Sequence, residues 1–292
     1  MPRPPTWAAL LLWAASSCAL RPRSGEGGRI TTVEAQGQRV EIQFQPEDAA
    51  AAALVAEGVR EGLPRLARYA RLRTTVTITI RPTRESLEAV AGGYYWLRAW
   101  AQYATIDLLS PRVWAWQGIE AEPPGAARVK QLVLHELTHC AMYQAAASEW
   151  TWNVKGIPAW FREGMASVLA GEGARRLPIR EVWRALAREE PPPGGGWRPP
   201  GDPLPGGDPL SDPGPLYADE SELVYGTAHQ AFAFLVRRYG DERIRQVLAR
   251  MGSGAFFAAA FREAIGLEPA AFEAEFRRYV LWRGWDADPD SP

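Results

Sequence analysis

Residues 126–147 read AARVKQLVLHELTHCAMYQAAA, with His135-Glu136-Leu137-Thr138-His139 at their centre. The stretch contains no Gly or Pro, and Pro123-Pro124-Gly125 breaks the chain just before it. Val129, Leu132, Val133, Leu137, Cys140 and Ala141 recur at helical spacing, which predicts one long buried helix. On a helix, positions i and i+4 lie one above the other on the same face. His135 and His139 therefore present two imidazoles that can share one tetrahedral zinc ion. Glu136, one residue round, reaches a water held there without itself being a ligand. The chain has three histidines in all, so this arrangement is hard to obtain by accident. The bland alternative is a pair of core histidines satisfied by hydrogen bonds.

A catalytic zinc needs a third protein ligand and one open position. The next helix is predicted from Pro158, a good first helical residue, to near Gly171. It contains Ile157-Pro158-Ala159-Trp160-Phe161-Arg162-Glu163-Gly164-Met165-Ala166. Glu163 comes 24 positions after His139 (139 to 163), among Phe161, Met165 and Ala166. A carboxylate in such a stretch must be paired or metal-bound, since burying it alone is very costly. The alternatives are an exposed Glu or an ion pair with Arg162. Ser167, one turn on, either fixes the tautomer of a ligand imidazole or is an ordinary helix serine.

HELTH followed by PAWFREGMA resembles the gluzincin branch of zinc metallopeptidases, most closely bacterial peptidase-MA-like proteins. Those show a Pro-x-Trp-Leu/Phe-x-Glu-Gly-x-Ala helix. Their downstream Tyr-Gly segments are matched by Tyr225-Gly226-Thr227-Ala228 and Tyr239-Gly240, and a later helix by Ala260 to Leu267. The resemblance covers about residues 40–280, and the Pro/Gly insertion before Tyr225 departs from the compact pattern. It implies a zincin-like α+β fold, with zinc held by His135, His139 and Glu163, and Glu136 as general base. Peptides or proteins would be the substrates. Tyr225 and His229, four apart and so on one helical face, are the candidates for stabilising the oxyanion. For His229 the ordinary reading is a partly buried histidine beside Phe232, and Tyr225 has an equally ordinary reading.

On the N-terminal side, Val40 to Phe44 and Thr74 to Ile80 alternate and read as strands. Residues 47–70 carry Leu54, Val55, Val59, Leu63 and Leu66 at helical spacing. A helix at about 83–90 and a strand at Ala104 to Leu109 follow, the latter a candidate sheet edge for an extended substrate. Residues 190–222 are rich in Pro and Gly, most densely at 191–215, and predict an irregular loop or linker. From 223 to 285 the pattern is helical, with breaks at Gly240, Gly252-Ser253-Gly254 and Gly266. The expected organisation is a catalytic domain over 30–175, that linker, and a mainly helical C-terminal subdomain. The small mixed sheet precedes the metal-site helices.

Residues 1–19 read as an export signal: Arg3, an apolar run from Trp7 to Ala15, then Ser16-Ser17-Cys18-Ala19. The run is too short to span a bilayer, which takes about 20 residues. Cleavage after Ala19 would release a soluble protein, and cleavage before Cys18 would leave a thiol for lipid attachment. Both stand open, and both make the protein extracytoplasmic. The two cysteines, Cys18 and Cys140, predict no structural disulfide, and Cys140 should be a small buried residue.

With 292 residues, 47% of them hydrophobic, the chain has ample material for a packed core. A net charge of −1, with scattered arginines and only Lys130 and Lys155 as lysines, offers no general attraction to nucleic acid. Most of the tryptophans are expected in the core. A competing class is an exported, non-catalytic zinc-site protein that holds a partner, although a purely structural zinc would want a closed fourth ligand.

Overall fold

The computed structural model describes residues 28–91, 97–115, 125–186, 207–214 and 216–286. The export segment with Cys18, the aromatic run Tyr94 to Trp96 and much of the Pro/Gly segment lie outside these residues. Five strands form one mixed sheet in the order β1-β2-β3-β5-β4. They are β1 (Arg29–Ala35), β2 (Gln38–Phe44), β3 (Val76–Arg81), β4 (Ala99–Ala101) and β5 (Thr105–Leu109). The central β2, β3 and β5 run parallel, and each outer strand is antiparallel to its neighbour.

The alternation of β2 and β3 turns Val40, Ile42, Val76, Ile78 and Ile80 to one buried face. The register sets Ile42 against Ile78 and Ile78 against Ile106, one apolar row across the parallel strands. Helix α1 (Ala49–Leu66) packs on β1 and β2, and α3 (Ala126–Ala146) on β4 and β5. The two helices also meet each other, with α2 (Arg84–Ala91) against β3 and β5. A Cβ on Gly58 would stand 3.1 Å from Lys130 Cα, so α1 approaches α3 almost backbone to backbone.

The rest of the described chain is helical: α4 (Ala159–Ala170), α5 (Ile179–Leu186), α6 (Leu216–Asp219), α7 (Ser221–Gly252), α8 (Phe257–Ile265) and α9 (Pro269–Asp286). The last three fill the expected helical stretch 223–285, whereas α6 is a short helix inside the segment expected to be irregular. Gly240 breaks the helical path of α7, as expected: its φ 79° and ψ 163° are non-helical, and two helical segments meet there across a kink. An aromatic cluster binds these helices together. Trp160 stacks on Phe272 at 4.8 Å, and Phe161 lies edge-on to Phe232 and Phe257. The class is α+β, with the mixed sheet first and the helices after it. No helix among the described residues is long and apolar enough to cross a membrane.

Several expectations need correction. Thr105–Leu109 is not the sheet edge, because β4 pairs antiparallel with it and takes the outer position. Pro158 caps α4 from outside, in extended backbone, and the first helical residue is Ala159. The tryptophans divide: Trp114 and Trp160 are fully buried, whereas Trp150 is 86% exposed. Cys140, by contrast, is buried and free as expected, its Sγ 3.1 Å from the carbonyl of Gln102.

Helix α4 is pressed onto α7 at Gly164, where an added Cβ would lie 2.3 Å from the Ala228 carbonyl oxygen and 2.5 Å from Phe232 Cβ. Gly164→Ala should therefore force the helices apart, costing about 1–3 kcal/mol of stability. A urea titration would show a lower midpoint, and an unchanged midpoint would contradict the close approach.

Candidate metal centre

Helix α3 buries almost its whole length, which removes His135, Glu136 and His139 from water while keeping them on a rigid frame. Helix α4 crosses it and carries Glu163 to the same point. The Glu163 Oε2 atom is 3.4 Å from His135 Nε2 and 3.4 Å from His139 Nε2. The two imidazole rings stand edge to face, 5.0 Å between centroids. One donor atom from each of the three residues lies within 4.8 Å of the others.

These separations test whether a metal fits. A distance of 3.4 Å is beyond a good N–H···O hydrogen bond. It is the spacing of two ligands on one tetrahedral zinc, which bonds near 2.0–2.1 Å put at about 3.3 Å. Two imidazole nitrogens and one carboxylate oxygen are also the donor set of an open catalytic zinc site.

The electrostatics ask for a cation at the same point. Burial works against the Glu163 charge, yet His139 and His135 hold its carboxyl well below the usual range. Burial also opposes charge on His135, but Glu172 and Glu163 outweigh it and raise that imidazole to about 10. Burial pushes the Glu136 carboxyl up, with His135 and His139 opposing.

His135 is oriented by a residue that sequence reasoning missed. Its Nδ1 lies 3.2 Å from Glu172 Oε2, which turns Nε2 toward the site. Gly171 ends α4 in the left-handed region, φ 72°, and its successor's N–H returns to the Ser167 carbonyl at 3.1 Å. That turn brings Glu172 back over α3. Glu172 is almost fully buried and is held by Arg176 and by Arg175, the latter at 3.0 Å. Burial opposes its charge, but His135 and these arginines keep the carboxyl far below the usual range. Within the stretch GEGARR, a lone Glu between two glycines carries no periodic signal.

Ser167 does not touch a ligand imidazole. Its Oγ is 2.9 Å from His229 Nδ1 and accepts from Arg176 Nε at 3.2 Å. His229 therefore sits behind Ser167 and is not among the residues lining the cleft. Tyr225 does line it, half-buried, with the Arg176 guanidinium 4.9 Å from its ring centre. Burial, reinforced by the charge of Glu163, pushes its hydroxyl well above the usual tyrosine range.

The cleft in front of the ligands has a volume of about 510 Å³. Its walls include Trp100 of β4, Tyr143, Trp152 and Arg162, with Glu136 and the three donor residues at its base. Tyr143 stacks on His139 at 6.0 Å and against Trp152 at 4.4 Å.

No family model matches the sequence, and no curated protein matches it. Among solved structures, the chain is similar to an M1 zinc metallopeptidase from Deinococcus radiodurans. Identity is 13%, the TM-score is 0.43, and the match covers 87% of this chain and 51% of that one. A Glu-to-Ala variant from the same organism matches at 12% identity and TM-score 0.44, with the same coverage. A two-domain M1 zinc metallopeptidase variant bound to L-arginine matches at 14% and 0.42, again over 87% and 51%. The chain spans about half the length of these structures.

Two substitutions test the centre. Glu163→Ala should abolish or greatly weaken binding of one zinc per chain, measured by metal analysis after dialysis. Glu172→Gln should keep the site but lower zinc affinity by about 10–100-fold, read by competition with a chelator. Unchanged affinity in both would reduce His135 and His139 to core residues.

Proposed function

We propose that the chain is an exported zinc metallopeptidase of gluzincin type, with zinc held by His135, His139 and Glu163. One observation carries the metal reading: the 3.4 Å separations of Glu163 Oε2 from both imidazoles, at a point no other described side chain of the donor type shares. Zinc in such a site supplies Lewis-acid polarisation of a water and of a carbonyl oxygen. The likeness in sequence to peptidase-MA-like proteins supports the peptide bond as the target.

The chain's own residues divide the remaining work. Glu136 lines the cleft beside the ligands, and its carboxyl is pushed upward by burial, the direction that suits a group that must take a proton and give it back. It would accept the proton of the attacking water at a carboxylate oxygen and deliver it to the leaving nitrogen. Tyr225 faces the same space and is a candidate donor to the developing oxyanion. His229 would act through Ser167 and Arg176, as support for Tyr225 and Glu172, not as a reacting group. Glu172 fixes the tautomer of His135.

The substrate would lie along β4, the outer strand beside the cleft, adding an extended segment to the sheet. Export rests on the reading of residues 1–19, with release after Ala19 or a lipid on Cys18 as the two forms.

Glu136→Gln should retain one zinc per chain and lose peptide hydrolysis by at least about 100-fold, the low end of what general-base assistance contributes. Turnover of a quenched peptide library by the zinc-loaded chain, with and without the substitution, measures this. Hydrolysis that persists in the variant would sink the mechanism. A zinc-loaded chain that cleaves no peptide would favour the partner-holding alternative.

A further inference from the structure

Arg162 precedes the metal ligand Glu163 on α4, and the helix turns its side chain into the same cleft. The guanidinium carries five N–H donors in a fixed fork. Its Nη1 donates to the Ile157 carbonyl at 3.3 Å. No carboxylate stands within ion-pair distance of it among the described residues. The nearest acidic group that acts on it is Glu163, whose oxygen is turned toward the two histidines. Tyr217 stands beside it, its buried hydroxyl facing the guanidinium. Burial opposes the guanidinium's charge, and Tyr143, Glu163 and Tyr217 offset it. Beyond the Ile157 carbonyl and Tyr217, the five-donor fork has N–H groups left for a ligand in the cleft.

The charge balance of the cleft points the same way. Glu136 and Glu163 lie at the metal-ligand end of the cleft, and Arg162 brings a fixed positive charge to its wall. It is the one Lys or Arg among the described lining residues. Around it the walls are aromatic, from Trp100, Tyr143 and Trp152, and would accept apolar side chains.

Resting on the peptidase reading, we propose that Arg162 determines specificity by binding a carboxylate of a short peptide substrate lodged in this cleft. A planar carboxylate matches the guanidinium fork two bonds to two, which a neutral amide does not. The carboxylate is either the peptide's C-terminus or an acidic side chain.

The test uses the full chain as Glu136→Gln, loaded with zinc, so that peptides bind without turnover. Three probes are titrated by calorimetry: N-acetyl-Ala-Leu-Ala as the free acid, the same peptide as its amide, and N-acetyl-Ala-Asp-Ala amide. The free acid or the Asp peptide should bind roughly tenfold or more tightly than the neutral amide. Which of the two does so names the source of the carboxylate. Adding Arg162→Met should bring the acid-to-amide ratio close to one, with zinc content retained. Arg162→Lys, which keeps a point charge without the fork, should leave an intermediate preference. Equal binding of all three probes, or a preference that survives Arg162→Met, overturns the proposal alone. Failure of all three to bind the zinc-loaded chain overturns the peptidase reading and this proposal with it.

Discussion

A carboxylate held in a mostly buried position between two imidazoles constrains the rest of this molecule. Glu163 cannot stay ionised there unless positive charge faces it, and His135 and His139 are what face it. Their spacing on α3 is set by the helix, so the freedom left to the fold is how closely α4 approaches. A shift of an ångström would either turn the three donors into ordinary hydrogen-bond partners or leave the carboxylate unpaired. The packing around α4 is accordingly tight where tightness matters. Gly164 meets the backbone of α7, and Phe161 and Trp160 are wedged in an aromatic cluster that reaches α8 and α9.

That view gives the helical C-terminal part a purpose. Helices α7 to α9 contribute Tyr225 to the cleft, but their main effect is to hold α4 against α3 from behind. The network from His135 through Glu172, Arg176 and Ser167 to His229 joins the ligand helix, the turn after α4 and α7 by hydrogen bonds. Each member satisfies a neighbour that would otherwise be buried without a partner, which is why such networks stay rigid.

Much of this was legible from residues alone, for identifiable reasons. Helix α3 announces itself because its apolar positions from Val129 to Ala141 recur at helical spacing, no Gly or Pro interrupts it, and Pro123-Pro124-Gly125 precedes it. Helix α4 was bounded correctly to within a residue by Pro158 and Gly171. What escaped notice lacks periodicity. Strand β4 has three residues, too few for an alternation to register, and missing it made the neighbouring Thr105–Leu109 look like an edge. Strand β1 is joined to β2 through Gln36-Gly37, with Gln36 at φ 52°, and lacks the Asn-Gly or Asp-Gly that marks such hairpins. Glu172 escaped because its importance comes from a left-handed turn that folds a polar loop back on α3. The pairing of Ser167 with His229, not with a ligand, likewise depends on how α7 lies across α4.

The same packing decides how metal and fold are coupled. In small zinc domains the ion's binding energy is the folding energy, because nothing else holds the ligands together. Here the ligand helices meet through apolar contacts that no ion contributes to: Trp160 and Phe161 against α7 to α9, and Leu137, Met142 and Met165 in the common core. The donors are therefore brought together by burial of side chains elsewhere on the same helices. The cost of crowding carboxylates and imidazoles is borne by that core. A donor set preformed in this way would take a metal ion without waiting for the chain to order.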